Sequence, residues 1–167
     1  MIEVGVTAVA TLCAVVLGGW LTLRGQDRLW RRDTERQWRD IRLKAYTDFL
    51  TAMRELVAYL LTPTAVVTAV PRQSGEGDDM PFFDERGTRH KERLEATKSA
   101  IRLVAGTAAV VEATDALVRR ARLVAVARAE HGPDAIPPER FTELWAAERA
   151  FLRDARAEVG LVRPSDQ

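Results

Sequence analysis

Few side chains in this chain are of a type and spacing that could do chemistry. There are two histidines, His90 and His131, and each falls near a helix end predicted from the pattern around it. Metal-carboxylate bundles need inward glutamates and Glu-x-x-His pairs, and no Glu-x-x-His occurs. Glu130, His131 and Asp134 offer a loose metal-ligand spacing, against which stands the ordinary reading of a solvated helix C-terminus. A covalent nucleophile needs an activating base within reach. Cys13 lies inside an apolar run, and Ser74, Ser99 and Ser165 stand in no nucleophile motif. The glycines of Ser74-Gly75-Glu76-Gly77 lack the strand-turn-helix context of a phosphate-binding loop. These residues predict no catalytic centre, no cofactor and no metal site, hence a non-enzymatic protein.

The elements that would position such residues divide by composition. The 167 residues carry 25 basic and 24 acidic side chains, a net charge of +1, so no nucleic-acid partner is expected from the total. The distribution is uneven. Eight basic residues against four acidic ones lie between Arg24 and Lys44, directly after the uncharged run from Val4 to Leu23. At about 1.5 Å per residue a helix over that run spans roughly the 30 Å hydrocarbon core of a bilayer. A cleaved secretory signal would have its basic residues in front, whereas here only Glu3 precedes the run. Residues 1–25 therefore read as an uncleaved transmembrane anchor in a lipid bilayer. By the positive-inside rule the arginine flank is cytoplasmic and the N-terminus faces out of the inner cell membrane. Trp20, Arg24, Arg28, Arg31 and Arg32 are the membrane-interface residues on this reading; the arginines suit anionic head groups as well as setting orientation. Ala10, Ala14 and Gly18 form a small-residue stripe, which suits either a homo-oligomer face or the plain composition of an alanine-rich anchor.

Residues 26–40 are nearly all polar, with opposite charges four apart at Asp27 and Arg31, Glu35 and Arg39, and Asp40 and Lys44. They read as a helical stalk. Trp30 and Trp38 share a face of it, either as a seam for a partner or as a cover for the end of the domain's own core. Residues 41–160 then carry four amphipathic helical patterns. The first runs from Ile41 to Leu61, ends at Thr62-Pro63, and leaves TAVVTAV free for a further turn or two. The second opens with Thr88 as its cap, the third stops at His131-Gly132-Pro133, and the fourth runs from Pro138 to about Val159, burying Phe141, Leu144, Trp145 and Phe151. Residues 71–87 combine two prolines, three glycines and clustered acids, and read as an irregular loop. Its apolar residues Met80, Phe82 and Phe83 either dock a protein partner or fold back on the bundle. No period-two strand is evident, and 161–167 read as a tail.

The anchor, then RQWRDIRLKAYTDFLTAMREL, IRLVAGTAAVVEATDALV and AERAFLRDARAEVG, resemble a group of small single-pass membrane-anchored helical proteins of high-GC Gram-positive bacteria whose function is unassigned. That resemblance implies architecture and no chemistry. The expected fold is mainly α: an N-terminal transmembrane helix continuing into an antiparallel four-helix bundle. The expected role is a cytoplasmic interaction or scaffold domain, possible self-association included. The alternatives are an extracytoplasmic sensor or ligand-binding bundle, which needs a cavity between its helices, and an enzyme, which needs convergent polar groups in one.

Overall fold

A computed structural model describes residues 33–71 and 79–161 of the chain. The chain divides into two units, Met1–Asp40 and Ile41–Gln167. In the first, residues 33–40 are helical and exposed, with Arg36 4.0 Å from Asp33. Among the described residues no helix is long and apolar enough to cross a membrane, and the run from Val4 to Leu23 lies outside them.

The chain is mainly helical, with four helices among the described residues. Helical backbone covers 33–60 (α1), and its part in the second unit turns one face inward: Tyr46, Phe49, Met53, Leu56 and Leu60 recur at three- and four-residue steps, all buried. Thr62 and Pro63 end it, the Thr62 N–H bonding to Tyr59 O at 2.9 Å. The last carbonyls of a helix lack partners within it. Arg128 of α3 (Ala108–His131), only 8% exposed, serves the last of them: its Nε donates to Leu60 O at 3.0 Å, and its Nη2 to Ala65 O beyond the helix at 3.1 Å. A cation at the negative end of a helix is electrostatically favoured, which offsets part of its desolvation.

Strands β1 (Val67–Pro71) and β2 (Asp79–Phe83) follow and pair antiparallel, Val67 opposite Phe83 and Ala69 opposite Pro81. Two expectations are corrected here. TAVVTAV supplies a strand and not more helix, and 71–87 is not irregular throughout, because 79–83 is a strand and helix begins at Glu85. The strand period is hard to see because apolar residues occupy both faces: Val67, Pro81 and Phe83 turn inward, while Val70 and Phe82 turn out. Pro81 is compatible with pairing. The Asp84 N–H bonds to Val66 O, so hydrogen-bonded pairs fall at 66/84, 68/82 and 70/80, and Pro81 occupies a position whose N–H would point away from the ladder.

Helix α2 (Glu85–Val104) is capped not by Thr88 but by Asp84, whose side chain accepts from the Gly87 N–H at 2.8 Å. The Gly87 N–H and the Tyr59 hydroxyl hold the Asp84 carboxyl below the usual range. Only Gly87, Leu94 and Ile101 of α2 are buried, a narrow stripe at seven-residue steps. Helix α3 (Ala108–His131) buries Val110, Thr114, Leu117, Ala121 and Val124, and ends at Gly132, whose φ of 82° favours glycine. Helix α4 (Pro138–Glu158) starts with proline in its first turn and buries Leu144, Phe151 and Ala155. Trp145, expected inside, is 38% exposed. Phe151 meets Tyr46 edge-on at 5.8 Å and Phe49 at 5.3 Å, joining α4 to α1. Glu148, 7% exposed, adds an ion pair to Arg54 at 2.6 Å.

The opposite end closes on Glu158. Its Oε1 accepts from the Tyr46 hydroxyl and the Gly106 N–H, both at 2.8 Å, and its Oε2 from the Thr107 hydroxyl at 2.6 Å; Arg42 stands 3.3 Å away. Burial alone would raise this carboxyl, but Gly106, Thr107, Tyr46 and Arg42 outweigh it and hold it below the usual range. The stability it contributes is therefore present above the unfolded carboxylate pKa and lost as pH falls through the folded value. Glu158→Gln is expected to cost about 1–3 kcal/mol near neutral pH. Urea midpoints of wild type and variant should converge on acidification, and a pH-independent difference would contradict this account.

Gly87 sets a second prediction. A Cβ there would stand 2.7 Å from Tyr59 Cε1 and 2.8 Å from Phe83 Cβ. Alanine is worth about 1 kcal/mol more than glycine inside a helix, but overpacking costs about 1–3 kcal/mol. Gly87→Ala should therefore lower stability, read as a reduced urea midpoint.

Candidate functional site: an apolar pocket under the hairpin

Between β2, α2 and α3 lies a pocket of about 190 Å³. Helical spacing brings its walls together: Leu94 from α2, and Val118, Ala121 and Ala125 from α3, with Leu56 of α1 behind them and Met80, Pro81 and Phe83 of β2 along one side. The space follows from residue size. At 121 and 125, fully inward positions of α3, the side chain is only a methyl group, so the helices and hairpin meet without filling the volume between them.

Three charged side chains stand at this apolar surface: Lys91 and Glu95 on α2, four apart, and Arg122 on α3. Arg122 reaches over to β2, donating to Asp79 O from Nη2 at 2.9 Å and from Nε at 3.3 Å, and so fastens the start of the strand beside the pocket. The other end of β2 is held by packing. Tyr59 lies 6.5 Å from the Phe83 ring and 5.6 Å from His90, and its hydroxyl is pushed up to about 12 by burial and by Asp84.

Of the residues singled out from sequence, Met80 and Phe83 are half-buried and line the pocket, while Phe82, between them, is 51% exposed on the outer face of the hairpin. Trp38 is 47% exposed on the helical backbone of 33–40. Trp20, Arg24, Arg28, Trp30, Arg31 and Arg32 lie outside the described residues. His131 sits at the end of α3 with Nδ1 3.1 Å from Ala127 O and 3.7 Å from Glu130. Among the described residues no group of three or more histidine, cysteine or acidic side chains is placed to hold a metal ion.

Sequence reasoning missed Lys91, Glu95 and Arg122. The signal was present but faint: Lys91 and Glu95 flank Leu94, and Arg122 follows an inward alanine where the other inward positions of α3 are mostly larger. Replacing Arg122 by alanine should release the start of β2. Loss of these charged hydrogen bonds predicts about tenfold faster amide exchange at Met80 and Phe82, whose N–H groups face the ladder. Unchanged protection there would show that packing alone holds the strand.

No protein-family model, curated protein or solved structure matches this chain.

Proposed function

We propose that this chain is a non-enzymatic single-pass protein of the inner cell membrane. Its transmembrane helix continues into an antiparallel four-helix bundle that lies in the cytoplasm and serves as an interaction domain. The uncharged run from Val4 to Leu23 and the arginines after it support the anchor and its orientation, and the likeness to membrane-anchored proteins of high-GC Gram-positive bacteria belongs to the same reading.

The observation that carries the interaction role is the outer face of the hairpin. Val66 is 60% exposed, Val70 48% and Phe82 51%, with Thr68 beside them and Asp84, the residue opposite Val66, at one end. Contiguous exposed apolar surface of this kind marks association sites. In its simplest form the partner is a second copy, because a face that is apolar over most of its length is covered by the same face of another copy.

Two measurements test the proposal. Reporter fusions at the C-terminus should be active only as cytoplasmic reporters; extracytoplasmic activity would overturn the orientation. Phe82→Asp should leave thermal stability nearly unchanged, since its ring is half exposed. It should reduce cross-linked dimer recovered from native membranes by roughly tenfold or more, as loss of an aromatic anchor predicts. Undiminished cross-linking would remove this face from the account.

A second reading, a ligand-binding bundle, is favoured by one observation, the pocket between β2, α2 and α3.

A further inference from the structure

We infer that the pocket under the hairpin binds a small amphipathic carboxylate, its apolar body against Leu94, Val118 and Ala121 and its carboxylate at Lys91. The inference rests on the ligand-binding reading and adds the chemical class of the ligand.

Size sets the body. A dry apolar cavity of about 150 Å³ takes a benzene-sized guest, so the 190 Å³ here suits roughly six to eight carbons, as a ring with a short arm or a short chain. Nearly all of the lining is apolar, and a guest of this kind replaces weakly hydrated space with close contacts.

Charge sets the head. The described residues include three lysines. Lys44 pairs with Asp48 at 2.7 Å and Lys98 with Asp115 at 3.1 Å, whereas Lys91, half-buried at the pocket, forms no ion pair among the described residues. With no ion pair among the described residues, this half-buried ammonium gains a charge-assisted hydrogen bond when a carboxylate arrives. Arg122 adds a second positive charge at the same wall, its guanidinium turned to the Asp79 carbonyl. Among the described residues Glu95 is the anion at this wall, with Lys98 4.0 Å away on its own helix. The Lys91 ammonium at the wall opposes a cationic guest. A neutral one leaves Lys91 as it was.

The test uses the full chain in lipid nanodiscs with ¹³C-labelled leucine, valine and alanine methyls, titrated separately with hexanoate, hexanol and hexylamine. Expected are saturable shifts of Leu94, Val118 and Ala121 with hexanoate at concentrations where hexylamine gives none. Lys91→Met should weaken hexanoate about tenfold and leave hexanol unchanged, and Glu95→Gln should tighten hexanoate. Hexanol binding as tightly as hexanoate, or hexylamine binding more tightly, would overturn carboxylate recognition while leaving a ligand-binding bundle in place. Absence of shifts with all three compounds would overturn both.

Discussion

Glu158 ends α4, and its carboxylate gathers the groups that fix how the helices finish. One oxygen takes the Tyr46 hydroxyl of α1 and the backbone N–H of Gly106; the other takes the Thr107 hydroxyl at the start of α3. A carboxylate withdrawn from water needs donors, and the turn between two helices offers backbone and hydroxyl donors that neither helix uses. Here one side chain answers for the α2–α3 turn and for a tyrosine whose hydroxyl burial and the same carboxylate push up.

The other end of α1 is solved with the opposite sign. Arg128 lies across the carbonyls where α1 ends, from Leu60 O, in its last residue, to Ala65 O beyond it, with Thr62 O at 3.4 Å. The same chain segment leads into β1, so the arginine that completes the helix also sets where the hairpin begins. From there the logic runs outward. Asp84 caps α2 at the hairpin's far end, Gly87 allows that corner to sit against Tyr59, and Arg122 holds the near end. The pocket is what remains between a hairpin pinned at both ends and two helices whose facing residues include Ala121 and Ala125.

Much of the helical part was legible from sequence for a simple reason. Gly106, Gly132-Pro133 and Pro138 are residues whose backbone chemistry ends or starts helices, and the observed boundaries of α2, α3 and α4 fall beside them. The hairpin was not legible, because alternation marks a strand only when one face is polar, and VTAVP and DMPFF are apolar on both. Thr88 reads as the cap from sequence for a related reason: with 79–83 read as loop, nothing fixes where the chain turns into helix, and Asp84 is passed over. Met80 and Phe83 stood out as apolar residues among acids. Lys91 and Arg122 did not, because a charge at helical spacing is ordinarily a solvated face, and only the fold shows that theirs borders a cavity.

The two prolines of the hairpin have a bearing on how copies of such a domain can meet. Pro71 and Pro81 both occupy positions whose N–H would point away from the paired strand, one on each margin of the ribbon. Each margin thus lacks a donor where an incoming strand would need it. The sheet is unsuited to growing sideways by adding strands from neighbours, a process that has no natural end and leads to fibres. Contact through the flat outer side is different in kind, since two such sides cover each other and stop. Between copies of the chain, that difference separates a finite assembly from an unlimited one.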